Sequence, residues 1–95
     1  MKQVIQKVTQ VTYVSQVNTH KFYGIIMKND EGKAFVTQYD HSEKFVVMHG
    51  GKGLTYGLSW IGKRSLLDTI SYYVDRDYEV YEFDTAKELF KWLSE

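Results

Sequence analysis

The chain has 95 residues, 43% hydrophobic and 25% charged, with twelve basic and twelve acidic side chains and a formal net charge of zero. This length supports one domain, residues 1–95, around a single core. Cysteine is absent, which excludes disulfides, thiolate catalysis and Cys-ligated zinc.

The opening MKQVIQKVTQ alternates polar and apolar residues without the hydrophobic stretch of a signal peptide. No apolar run approaches the ~20 residues of a membrane helix. A soluble, cytoplasmic protein is expected. The zero net charge hides an asymmetry. Residues 1–65 carry nine Lys and Arg against four acids, and residues 66–95 carry three against eight. Eight Tyr dominate the aromatic residues, and Tyr suits half-buried positions and binding faces.

Residues 3–17, QVIQKVTQVTYVSQV, favour strand, but the apolar phase changes between Val4 and Val8 and the pair Val11 and Tyr13. A bulge or a break into two strands accounts for the switch. FYGIIMK (22–28) is a near-continuous apolar strand. NDEG turns, with Gly32 free to take positive φ, and KAFVTQY (33–39) returns. DHSE turns again into KFVVM (44–48). After GGKG, LTYGLSWI (54–61) alternates cleanly, as an antiparallel strand with one covered face does. The first helix, SLLDTISYYVD, is capped by Ser65, with Asp68 in its first turn, and places Leu66, Leu67, Ile70, Tyr73 and Val74 on one stripe. YEVYEF (78–83) is a short strand. The last helix starts at a capping box, Thr85 and Glu88, and is expected to bury Ala86, Leu89, Phe90 and Leu93. The order β-β-β-β-β-α-β-α predicts an α+β fold: a curved antiparallel sheet of five to six strands with both helices packed on one face.

The glycine-rich stretch HGGKGLTYGLSWIGKRS resembles a phosphate loop in the spacing of Gly57, Gly62 and Lys63. Arg64 stands where magnesium needs Ser or Thr, and Leu58, Trp60 and Ile61 fit strand and core, so no nucleotide site is expected. Lys52, Lys63 and Arg64 instead form a basic region near a helix start, where an anion is favoured. His20, His41 and His49 have no metal spacing, and no nucleophile elbow accompanies them. No cofactor, metal or catalytic set is therefore expected, and a small enzyme using a histidine with carboxylates is the remotest reading.

Ala34, Phe35 and Val36 match the middle of an RNA-recognition strand, with Tyr39 one place late. Tyr13, Tyr23 and Tyr39, with Lys7, Lys21, Lys28 and Lys33, would make a sheet face that stacks bases and tracks phosphates. Single-stranded nucleic acid is accordingly the alternative partner. Tyr72 and Trp92 lie off the apolar stripes of their helices and are candidate interface anchors. Asp75, Asp77, Glu79, Glu82 and Asp84 make an acidic surface that suits a basic site on a partner. An unpaired sheet edge makes a homodimer an additional possibility.

The ending YEVYEFDTAKELFKWLSE resembles the ends of small accessory proteins of tailed bacteriophages and prophages, in which an aromatic and acidic strand runs into FDT-x-KEL-x-x-W-L. The resemblance covers Tyr78 to Leu93. It implies a cytoplasmic protein that binds and blocks host factors, defence nucleases among them. The leading expectation is a non-enzymatic binding protein that modulates a host protein and has no membrane partner.

Overall fold

The structure, a computed structural model, describes residues 9–28, 32–40, 43–49, 57–58 and 62–95, with Gly57 and Leu58 described by their main chain. The elements are β1 (Thr9–Gln10), a 3-10 turn (Val14–Gln16), β2 (Phe22–Ile26), β3 (Lys33–Gln38), β4 (Phe45–His49), β5 (Gly57–Leu58), α1 (Leu66–Val74), β6 (Glu79–Phe83) and α2 (Ala86–Leu93). This is the expected α+β order. The strands form one antiparallel sheet in the order β1-β6-β2-β3-β4-β5. β6 thus lies between β1 and β2, although it follows all the other strands in sequence.

Among the described residues, the N-terminal segment passes from one short strand into a 3-10 turn, not into a second strand. β1 stops at Gln10, and the 3-10 turn is held by Gln16 Oε1, which accepts from the N–H groups of Thr12 (2.7 Å) and Tyr13 (2.9 Å). Val4, Lys7 and Val8 lie outside the described residues, as do Asn29 to Glu31 of the hairpin loop. Gly32 closes that hairpin with φ 86°, a value glycine takes without strain.

Both helix starts follow the local chemistry read from the sequence. Ser65 Oγ accepts from Asp68 N–H at 3.1 Å. Thr85 Oγ1 accepts from Glu88 N–H at 3.1 Å and donates to the Glu88 carboxylate at 3.0 Å. The helix faces differ from expectation. Leu67 and Phe90, expected inside, are 51% and 53% exposed, while Thr69 and Trp92 are buried. On α1 the buried stripe is Leu66, Thr69, Ile70 and Tyr73, spaced i, i+3, i+4, i+7. Thr69 tolerates full burial because its hydroxyl donates to the Ser65 carbonyl at 2.8 Å.

The helices, expected on one face, occupy opposite faces. Tyr23, Ile25, Ala34, Val36, Val47 and Val80 form one core cluster with Leu66, Ile70 and Tyr73 of α1. Ile26, Phe35, Tyr81 and Phe83 belong to a second, with Leu89, Trp92 and Leu93 of α2. Successive strand residues point to opposite sides, so the register assigns the two clusters to the two faces. The reason lies in β2 and β3. FYGII and KAFV are apolar on both parities, and such strands need cover on both sides.

Candidate functional site

The two expected interface anchors have different fates. Trp92 is only 8% exposed and is part of the core. Its ring lies against Gly24 of β2, with ring centroids 5.3 Å from Phe83 and 5.9 Å from Tyr81. Lys33 covers it, with Nζ 4.6 Å from the ring centroid and donating to the Trp92 carbonyl at 2.6 Å. Trp92 is therefore no surface anchor: the missing Cβ of Gly24 gives its ring a seat in the sheet. Tyr72 is half-buried, with Arg76 Cζ 3.8 Å and Arg64 Cζ 5.5 Å from its ring centroid.

The acidic residues do not form one patch. Asp75 and Asp77 are exposed in the α1–β6 turn, where Asp77 takes φ 61°. Glu79 accepts the Tyr81 hydroxyl at 2.5 Å, and Glu82 accepts the Tyr23 hydroxyl at 2.8 Å. Three residues apart on one strand, Glu79 and Glu82 lie on opposite faces. Asp84 holds Lys21 at 2.5 Å, and this exposed pair raises the Lys21 pKa.

The basic, tyrosine-rich sheet face is likewise divided. Tyr23, expected to stack bases, is 1% exposed, and its hydroxyl also accepts from Asn18 N–H at 2.7 Å. Burial holds its pKa well above the ordinary tyrosine value, with the Glu82 carboxylate adding to the rise. Lys28 lies over the Tyr78 ring at 4.4 Å and donates to the Arg76 carbonyl at 2.6 Å. Lys63 lies over Tyr39 at 4.2 Å. Arg64 is bridged to Phe45 through its main chain. Lys28 and Lys33 stand at the hairpin end of β3, while Tyr39, Lys63 and Arg64 stand about 20 Å away at its other end, at roughly 3.4 Å per residue. The exposed faces of these rings already hold cations of the same chain. Lys52 lies outside the described residues.

Of the histidines, His20 is exposed in the turn before β2, His49 is half-buried at the end of β4, and His41 is outside the described residues. Among the described residues no group of three His, Asp or Glu is placed to hold a metal ion, and no helix is long and apolar enough to cross a membrane.

One feature was not foreseen from the sequence. The β2–β3 ladder runs through Ile26↔Lys33, Ile25↔Ala34 and Gly24↔Phe35, then stops. Each strand continues with its outer neighbour: Tyr23↔Glu82 and Phe22↔Phe83 toward β6, Val36↔Val47, Thr37↔Val46 and Gln38↔Phe45 toward β4. The sheet splits along this seam. A cavity of about 480 Å³ opens there, lined by Phe22, Tyr23, Val36 and Thr37. Phe45 and Leu66 extend its apolar wall, and His20 and Lys21 stand at its rim. Its volume falls within the ~300–1,000 Å³ of ligand pockets. A hollow of about 180 Å³ beside Asp77 and Glu79 is smaller than that. Nothing in the residue pattern announces the seam, because FYGIIMK and KAFVTQY are equally long and read as fully paired. Comparison with protein families, with characterised proteins and with solved structures finds no match for this chain.

Proposed function

We propose that this protein acts by binding, without turnover, and that its partner is another protein engaged at the open seam between β2 and β3. The observation that carries the reading is the seam itself. Its cavity sets the apolar side chains of Phe22, Val36, Phe45 and Leu66 beside the polar Thr19, Thr37 and Gln38, and Phe22 is 38% exposed. Interfaces concentrate their binding free energy where an aromatic residue meets a pocket from which the partner displaces water. The resemblance of Tyr78–Leu93 to phage accessory proteins makes a cytoplasmic host protein, such as a defence nuclease, the partner class to try first.

A photo-reactive side chain at Thr37, inside the seam, tests this against one at Lys87, exposed on α2. The expected result is a crosslinked protein from Thr37 alone, competed away by unlabelled wild type and unchanged by nuclease. Equal products from both positions would remove the reading. Products lost on nuclease treatment would favour single-stranded nucleic acid instead, held by Tyr39, Lys63 and Arg64.

A further inference from the structure

We propose that the seam recognises a peptide group: an extended segment of the partner places one main-chain amide, flanked by an apolar side chain, between Tyr23 and Val36. The proposal rests on the reading of the seam as the binding site.

Two hydrogen bonds fix the phase of the main chain. Met27 N–H donates to the Gly32 carbonyl at 2.8 Å, and Tyr39 N–H donates to the Lys44 carbonyl at 2.9 Å. In an antiparallel ladder, successive residues direct their main-chain groups to alternate sides. Odd-numbered residues of β2 therefore face β3, and even-numbered residues of β3 face β2. Tyr23 and Val36 direct their groups toward each other, and theirs is the first step the ladder omits. Given the strand directions, the Tyr23 N–H and the Val36 C=O stand on the open side of that step. Both residues are buried, at 1% and 7% exposure, and a buried main-chain group without a partner is costly.

One donor facing one acceptor across a gap is the complement of a single peptide unit. In a trans amide the C=O and N–H point in opposite directions, so one group meets each strand. The partner carbonyl accepts from Tyr23 N–H, and the partner N–H donates to the Val36 carbonyl. Its apolar side chain then lies against Phe45 and Leu66 in the cavity. This is strand addition at an interior seam, where main-chain bonds give affinity and the pocket selects the side chain.

The probes are the methylamide of 4-methylpentanoic acid, which is leucine without its amino group and so holds a single amide, and the methyl ester of the same acid, which has no N–H donor, titrated while amide shifts are followed. The methylamide is expected to shift Tyr23, Val36 and their neighbours, and the ester to bind about fivefold or more weakly, the loss expected of one hydrogen bond. Phe22 and Thr37 form the next pair in register, the kind whose side chains stand closest in a closed ladder. A double variant, F22C with T37C, introduces the chain's only cysteines, so oxidation staples the seam shut. Phe22 lines the cavity, so the reduced variant is expected to bind more weakly than wild type and serves as the reference; oxidation is expected to abolish the binding it keeps. Equal binding of amide and ester overturns the peptide-group proposal and leaves the seam standing as a binding site. Undiminished binding by the stapled form overturns both. Absence of shifts at the seam with either probe overturns the proposal. Should the double variant fail to fold, or bind nothing when reduced, amide exchange on the wild type decides: slowing at Tyr23 by the methylamide and not by the ester supports the proposal, and equal rates refute it.

Discussion

The two ends of the β2–β3 pair are built from similar residues and behave differently. At the hairpin end the ladder is intact, Trp92 is pressed against Gly24, and Lys33 covers its ring and takes its carbonyl. One step beyond Gly24 the ladder stops, and Phe22 is 38% exposed. The pairing is kept where the Trp92 ring lies on Gly24 and stops one step later, although Tyr23 and Val36 are buried on the α1 side. The difference teaches that side-chain burial holds these strands in place whether or not their main chains are paired. A main-chain bond contributes only about 0.5–1.5 kcal/mol net, whereas a buried aliphatic or aromatic side chain contributes about 1.5–3 kcal/mol.

That contrast can be broken most severely at the sealed end. Trp92→Ala is expected to lose about 3–5 kcal/mol of stability in urea unfolding, while the folded fraction keeps its partner binding. Retained stability with lost binding would reverse the roles assigned to the two ends. Gly24→Ala is expected to lose about 1–3 kcal/mol, because its Cβ would overlap the Trp92 ring. Trp92→Leu in the same chain should recover part of that loss, and simple additivity would show that the two positions are not in contact.

At the seam, Tyr23→Phe is expected to cost about 1–2 kcal/mol at neutral pH, since it leaves Glu82 and Asn18 N–H without the shared hydroxyl. It also has a pH signature. The folded state raises the Tyr23 pKa, so it keeps a proton that the unfolded chain releases near pH 10. That contribution is whole below pH about 10 and falls as pH rises above it. The Phe variant should show a flatter alkaline limb, and an unchanged limb would refute the assignment. Smaller still, the Tyr23 amide should exchange faster than that of Ile25, which sits inside the ladder. Leu67→Ser should change stability by no more than about 0.5 kcal/mol, since Leu67 is 51% exposed.

The elements were legible in the sequence because local chemistry decides them. Ser65 with Asp68, Thr85 with Glu88, and Gly32 mark ends that the structure keeps. The placement of the helices was less so, although a signal existed. An apolar run on both parities of β2 requires two covers, and a glycine inside that run marks a close approach by something large. Together they point to Trp92 as the ring over Gly24. Reading Trp92 from its helix alone put it outside and Phe90 inside. The seam was not legible at all. It depends on a register shared by four strands, and no single segment carries that information.

The insertion of β6 between β1 and β2 governs how the chain must assemble. The ribosome makes β6 only after the first five strands, so β2 waits with one flank unsatisfied until its neighbour is synthesised. Completion of this sheet therefore waits for β6 and depends on distant partners, a slower regime than local pairing. A nascent chain halted before Glu79 would leave β1 cut off from the other strands and β2 as an open edge, whatever the quality of its hairpins.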